Sequence, residues 1–129
     1  MDRQDILWRL AQLASLPFQE RYVIGGTEDE YVLAAELLEN VEALRFVAAP
    51  TSEDDDDPGA DGRGALAEVF ACIERNSGEA LGATSPSDQA DRIAHGEAWA
   101  ELRATAERAL RAFGYEGGLS IEEVVRLDG

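Results

Sequence analysis

The chain has 129 residues, of which 45% are hydrophobic, so we expect it to bury a core of its own. Twenty-seven aspartates and glutamates stand against eleven arginines and no lysine, which gives a net charge of −16 at pH 7. A field of this sign attracts cationic molecules and repels nucleic acids and anionic membranes, so neither is expected as a direct partner.

The cysteine content and the N-terminal sequence bear on the compartment. Cys72 is the single cysteine, which excludes an internal disulfide and suits a reducing compartment. The residues after Met1 are largely charged or polar and contain no apolar run of signal-peptide or membrane length. We therefore expect a cytoplasmic protein, folded as one domain over 1–129, in which the Cys72 thiol is structural.

The negative charge is concentrated in one part of the sequence. Between Tyr22 and Gly62 there are twelve acidic residues and one basic residue, Arg45. The remainder of the chain has fifteen acidic residues and ten arginines, so it is much closer to balance. A block of this density is typical of either a solvated tail or an interaction surface.

The first element is predicted to be a helix over roughly Arg3 to Leu16, which ends at Pro17. Its apolar residues recur at helical spacing: Ile6, Leu7, Leu10, Leu13 and Ala14. Trp8 lies nearly opposite this stripe, so it either packs beneath another segment, which we favour, or remains open as an aromatic anchor.

A short β-hairpin is predicted near residues 21–33. The runs 21–24 and 31–33 are rich in β-branched and aromatic residues, and a glycine-containing acidic loop separates them. The loop places three consecutive acids, Glu28, Asp29 and Glu30, at the exposed tip, beside Tyr31. This end of the hairpin is a candidate contact surface.

A helix is predicted from Ala34 to about Ala48, with an apolar stripe on one face and glutamates on another. The three glutamates Glu36, Glu39 and Glu42, which we call the acidic ridge, step by three residues along the helix. Like charges at this spacing mildly destabilise a helix, and such a cost is often functional. A solvated face that serves only solubility is the alternative.

An acidic, flexible loop is predicted over 51–64, since aspartates, proline and glycines resist packing. Part of it approaches the calcium-loop pattern, with Asp57, Asp61, Gly62 and Glu68 at suitable positions. Gly59 stands where a ligand is required, however, and no helix immediately precedes Asp57. We therefore expect no metal and no cofactor.

Three further helices are predicted from the apolar spacing. The first covers about Ala65 to Arg75. The second is long, begins with Ser87 or Asp88 as its cap, buries Trp99 on its apolar face and ends at Gly114. The third is a short terminal helix that begins with a Ser120 and Glu123 capping box. The fold class is thus mainly α, a single-domain bundle of about five helices with a possible short hairpin.

The long helix has its charges balanced, unlike the acidic ridge. Three pairs of opposite charge lie four residues apart: Asp88 with Arg92, Arg103 with Glu107, and Glu107 with Arg111. The contrast indicates that the ridge is more than background acidity.

Catalytic patterns are absent from the sequence. His95 lacks the second histidine of a zinc-protease helix, so we interpret it as packed or partly exposed. No nucleophile elbow and no phosphate-binding glycine pattern occurs, and one cysteine with one histidine cannot form an ordinary structural zinc site. We therefore expect a protein that is not an enzyme.

The stretch 21–39 resembles segments of small bacterial proteins from toxin and immunity loci. The resemblance implies an immunity protein that neutralises a cognate toxin, and it assigns no role to any single residue. Together with the charge, it predicts an inhibitor that binds a basic protein, with Trp8, Tyr22 or Tyr31 as an aromatic anchor. The predicted contact residues are Glu28, Asp29, Glu30, Tyr31, Glu36, Glu39 and Glu42.

Three alternatives remain open at this point. A nucleic-acid mimic would use its carboxylates to imitate a phosphate track and block a DNA- or RNA-binding enzyme, which requires acids along an extended surface. An enzyme or metal-binding protein could use the acidic loop to hold Ca²⁺ or Mn²⁺. Adaptation to high salt would spread acids evenly over all faces, without any partner.

Overall fold

The computed structural model describes residues 3–25, 33–45 and 59–127, and these ranges contain seven α-helices, one π-helical turn and no strand. The π-helical turn, Glu20–Ile24, directly continues the second helix. The mainly helical class is confirmed. In chain order the α-helices are α1 (Arg3–Ala14), α2 (Leu16–Gln19), α3 (Ala34–Glu42), α4 (Gly59–Ala80), α5 (Pro86–His95), α6 (Glu97–Ala112) and α7 (Ile121–Arg126).

Two interruptions raise the number of helices above the predicted five. The first separates α1 from α2 at Ser15, whose hydroxyl accepts a hydrogen bond from the Phe18 N–H at 3.1 Å. The second separates α5 from α6 at Gly96, where a Cβ would lie 2.5 Å from the Arg92 carbonyl oxygen. Only glycine permits this close approach, so the predicted long helix is two helices.

The predicted hairpin is wrong in its first strand. Residues 21–24 belong to the π-helical turn, and the Gly25 N–H donates to the Glu20 carbonyl at 2.9 Å. Tyr22 is placed one helical turn after Phe18, and the two ring centroids are 4.7 Å apart. Contacts of this kind outweigh the β propensity of the run. The loop and most of the second predicted strand, 26–32, lie outside the described residues.

The helix after the acidic stretch begins earlier than predicted. α4 starts at Gly59, so residues 59–64 are helical and do not belong to the predicted loop. It also continues to Ala80, past the expected end near Asn76. Residues 51–58 of the predicted loop lie outside the described ranges. A continuous helix through 59–68 is not the loop geometry that calcium coordination requires.

The core is built around α6, which packs against α4 and α1. The predicted apolar face of α6 is confirmed at Trp99, Leu102, Ala106 and Leu110, all with zero exposure, whereas Phe113 is partly buried. Trp99 also donates its indole N–H to the Ala80 carbonyl at 3.2 Å. The largest apolar group of the core thus closes the end of α4 as well.

Helix C-termini are closed by side chains from other parts of the chain. At six of the seven helices within the described residues, a side-chain donor reaches a carbonyl of the last turn or of the C-cap, which would otherwise lack an intrahelical partner. Four of these donors are arginines, whose charge also suits the negative end of a helix. The pairs are Gln19 with Gln12 and Leu13 (α1), Arg9 with Asn40 (α3), Arg92 with Glu79 and Trp99 with Ala80 (α4), Arg103 with Ile93 (α5), Arg3 with Phe113 (α6), and Gln4 with Leu127 (α7).

The capping box predicted for the terminal helix is confirmed. The Ser120 hydroxyl accepts from the Glu123 N–H at 3.3 Å and donates to the Glu123 carboxylate at 2.9 Å. The Gly118 N–H also donates to that carboxylate, at 2.6 Å. The hydrogen bond from Ser120, followed by that from Gly118, lowers the pKa of Glu123 below its ordinary value.

This shift predicts how the stability of α7 depends on pH. A carboxyl whose pKa is lower in the folded state stabilises the fold above its unfolded pKa, about 4.3, and loses that contribution as pH falls through the folded pKa. Glu123→Gln should therefore destabilise the protein at pH 6 to 7, and its difference from wild type should shrink below about pH 4. Urea unfolding across this range measures the effect. Glu122→Gln is the control, because Glu122 is exposed, and a pH-independent difference for Glu123→Gln would contradict the argument.

Candidate functional site

The acidic ridge lies on α3, a helix that is firmly anchored on its other face. Leu37, Leu38 and Val41 are buried at 3% exposure or less and belong to the common core. α3 packs against α1 and α4. Successive members of the ridge are separated by about 4.5 Å along the helix axis. The ridge is therefore a compact set of carboxylates on a fixed element.

The three carboxylates of the ridge face solvent without cationic partners. Glu36 and Glu39 are exposed, and Glu42 is partly exposed. None of them forms an ion pair or side-chain hydrogen bond with another residue in the described ranges. Carboxylates are hydrogen-bond acceptors only, so this surface is suited to a partner that supplies N–H donors and positive charge.

The arginines nearest in sequence and packing are engaged by partners other than the ridge carboxylates. Arg45 forms an ion pair with Glu74 at 3.1 Å and places its guanidinium 4.6 Å from the centroid of the Phe70 ring. Arg9, from α1, contacts the Asp5 carboxylate at 3.4 Å and donates to the Asn40 carbonyl at 2.9 Å. The single basic residue of the acidic stretch is thus engaged on α4.

Two of the three charge pairs predicted for the long helix are present. Asp88 with Arg92, and Glu107 with Arg111, form ion pairs at 3.2 Å. The prediction for Arg103 is wrong, because its guanidinium turns inward and donates to the Ile93 carbonyl at 2.6 Å and to the Gln19 carboxamide at 3.2 Å. Spacing of four residues permits a pair but does not exclude a stronger tertiary partner.

Four of the predicted contact residues, Glu28, Asp29, Glu30 and Tyr31, lie outside the described residues. Whether they approach the ridge therefore stays a prediction. Leu33, which follows them directly, is 49% exposed and provides the N-cap position of α3. The Glu36 N–H donates to the Leu33 carbonyl at 3.0 Å. An exposed apolar side chain thus stands one helical turn before the first glutamate of the ridge.

Two of the three candidate aromatic anchors, Trp8 and Tyr22, lie within the described residues, and both are partly buried. Trp8 packs edge-to-face on Phe18 of α2, with ring centroids 5.8 Å apart. It therefore packs against another segment, which is the alternative that the sequence favours over an open anchor. Tyr22 stacks on the same Phe18, and Arg21 lies 5.0 Å from the Tyr22 centroid. The three rings form a continuous aromatic row from α1 to the π-helical turn. Tyr31 lies outside the described residues.

The single histidine and the single cysteine lie on different helices and differ in exposure. His95 is exposed at the end of α5, whereas Cys72 has zero exposure on α4 and accepts a weak hydrogen bond from Asn76 at 3.4 Å. Over 3–25, 33–45 and 59–127, no three histidine, cysteine, aspartate or glutamate side chains form a group that could hold a metal ion. None of the helices described is both long and apolar enough to cross a membrane.

The structural role of the arginines is what the sequence did not reveal. Four arginines each donate to a carbonyl at the end of a helix other than their own: Arg3, Arg9, Arg92 and Arg103. Each of these positive charges lies at the C-terminus of a helix, where the helix dipole favours a cation. No periodicity marks such contacts, because each joins residues at least 10 positions apart.

No known protein family, curated protein or solved structure matches this chain. The functional argument therefore depends on the geometry and charge of the described residues.

Proposed function

We propose that this chain is a protein-binding inhibitor, an immunity protein that neutralises a cognate basic toxin, and not a catalyst. The observation that carries the proposal is the acidic ridge, with three carboxylates on one solvent-facing side of a helix and no cation paired to them in the described ranges. Opposite charge on the partner would attract it and fix its orientation.

Rigidity of α3 supports binding over mere solubility. The helix buries four of its nine residues, and Arg9 ties its last turn to α1 at 2.9 Å. A surface held in this way loses little conformational entropy when a partner docks, so more of the interaction energy appears as affinity. Carboxylates that serve only solubility do not require the helix that carries them to be held in a fixed position.

The compact shape of the ridge supports a single cationic patch as its target. Three glutamates over nine residues of helix span about two turns. A nucleic-acid mimic would need its carboxylates to continue along an extended track, in imitation of a phosphate backbone. A toxin active site or a neighbouring basic surface is of the size that the ridge can cover.

Charge reversal tests the proposal through the rate of association. The wild-type protein, immobilised and exposed to a lysate of the cells that make it, should retain a basic protein that elutes with salt. Glu36→Lys/Glu39→Lys should slow association with that purified protein about tenfold or more at low ionic strength, with unchanged helix content. Stopped-flow or surface-based kinetics at several salt concentrations provides the measurement.

The matched control is Asp91→Lys/Glu116→Lys, which changes the net charge by the same amount at exposed positions on α5 and after α6. It should slow association much less, because steering depends on charge close to the contact. Equal slowing by the two double variants would mean that the ridge contributes only to the net charge and is not the contact surface.

A cell assay distinguishes an immunity protein from another kind of inhibitor. The captured protein should be toxic when expressed in cells, and co-expression of this chain should relieve that toxicity.

A further inference from the structure

α5 is held to the rest of the molecule by few apolar contacts. Of its ten residues only Ile93 is buried, whereas α1 buries seven of twelve. The helix packs mainly on α6 and on the π-helical turn, with smaller contacts to α2 and α4, and its Arg92 donates to the Glu79 carbonyl of α4. Because burial of apolar surface is the main source of cohesion, a helix with one buried side chain should detach more readily than its neighbours.

A single guanidinium lies where α5 meets these neighbours. Arg103, on α6, donates through Nη1 to the Ile93 carbonyl at 2.6 Å and to the Gln19 carboxamide oxygen at 3.2 Å. Burial lowers the pKa of Arg103, and the Glu20 carboxylate opposes that shift. Both hydrogen-bond acceptors are neutral, and Arg103 is partly exposed, so these two oxygens and water together solvate the cation.

The Gln19 side chain links Arg103 to the last turn of α1. It has zero exposure, and its Nε2 donates to the carbonyls of Gln12 and Leu13 at 3.0 and 2.8 Å. Gln19 is the last residue of α2, and the π-helical turn begins immediately after it. Arg103 is thus shared between the last turn of α5 and the point from which the π-helical turn departs.

We propose that α5 is a strap that opens as a unit, and that its opening also loosens the π-helical turn, because the turn packs on α5 and begins directly after Gln19, which shares Arg103 with α5. When α5 lifts, the Ile93 carbonyl leaves the guanidinium, and the turn loses the helix packed on it. The device couples the position of α5 to the conformation of Glu20–Ile24, the turn that precedes the acidic segment 26–32. It is a property of the fold and is independent of the proposed inhibitor function.

Hydrogen exchange followed by mass spectrometry tests this coupling in the full chain under native conditions. In the wild type, amides of α5 and of the π-helical turn should exchange at least tenfold faster than those in the middle of α6. Arg103→Met should accelerate exchange of both segments by a further factor of about ten or more, while the middle of α6 remains as the internal reference. Arg108→Met is the matched control, since Arg108 is exposed on α6 and donates only to Thr105 of its own helix.

Two results would overturn the proposal. One is exchange of α5 at the same rate as α6, which would make α5 part of the global unfolding unit. The other is acceleration of α5 without the π-helical turn, or of the turn without α5, in Arg103→Met. Should that variant lack its helical circular dichroism, Arg103→Lys replaces it, because the ammonium keeps the charge but loses the planar fork. The same paired acceleration is then required.

Discussion

Trp99→Ala should destabilise the protein by about 3 to 5 kcal/mol, the range for removal of a large aromatic side chain from a core. Trp99 has zero exposure and lies in the first turn of α6, the helix around which the core is built. The substitution also removes the indole N–H that donates to the Ala80 carbonyl at the end of α4. Since a domain of this size is stable by only about 5 to 15 kcal/mol, this loss is a large fraction of the total.

Two further variants divide this loss into its parts. Trp99→Phe keeps most of the apolar volume and should cost about 1 to 2 kcal/mol, mainly through the unpaired carbonyl. Trp8→Ala is the control, because Trp8 is only partly buried, and it should cost less than Trp99→Ala. Urea unfolding followed by far-ultraviolet circular dichroism is the suitable measurement, as the tryptophans themselves are altered. Equal losses for the two alanine variants would refute the placement of Trp99 in the core.

The helices were predictable because their apolar residues repeat at the helical period. Leu10 and Leu13 of α1, and Leu102 and Leu110 of α6, are fully buried as the stripes predict. The end of the first helix was predicted from Pro17, but that proline lies in the first turn of α2, so the sequence did not predict that a helix resumes at Leu16. The break at Gly96 was not predictable either, because it depends on one backbone contact with Arg92.

The predicted hairpin failed for a related reason. β-Branched and aromatic residues favour a strand only where a sheet is available to receive them. Tyr22 instead stacks on Phe18, which itself packs on Trp8 of α1. The helical path of Glu20–Ile24 is therefore selected by an aromatic row that spans two elements. Such tertiary contacts cannot be read from the run of residues alone.

The candidate site was predictable in part for the same reason as the helices. Glu36 and Glu39 step with the helical period opposite Leu37 and Val41, so their exposure follows from the burial of the apolar stripe. The lack of a counter-charge was also visible from composition. The sequence did not reveal that Arg45, the one basic residue of the acidic stretch, pairs with Glu74 on α4.

Gln19→Leu should destabilise the protein by about 3 kcal/mol or more, although leucine is of similar size and more apolar. The substitution leaves the Gln12 and Leu13 carbonyls without their donor, and it removes one of the two acceptors of Arg103. Each buried polar group left without a partner costs about 1 to 3 kcal/mol. The larger hydrophobic transfer energy of leucine offsets only part of this loss.

Gln4→Leu is the matched control for this prediction. Its Nε2 makes the same kind of contact, donating to the Leu127 carbonyl at 3.3 Å, but Gln4 is exposed, so water can replace the donor. The cost should be about 0.5 kcal/mol or less. Comparable losses in urea unfolding for both variants would mean that burial does not decide the value of these helix-end contacts. A loss confined to Gln19→Leu would place the hydrogen bonds that Gln19 makes to α1 and to Arg103 of α6 among the main determinants of stability.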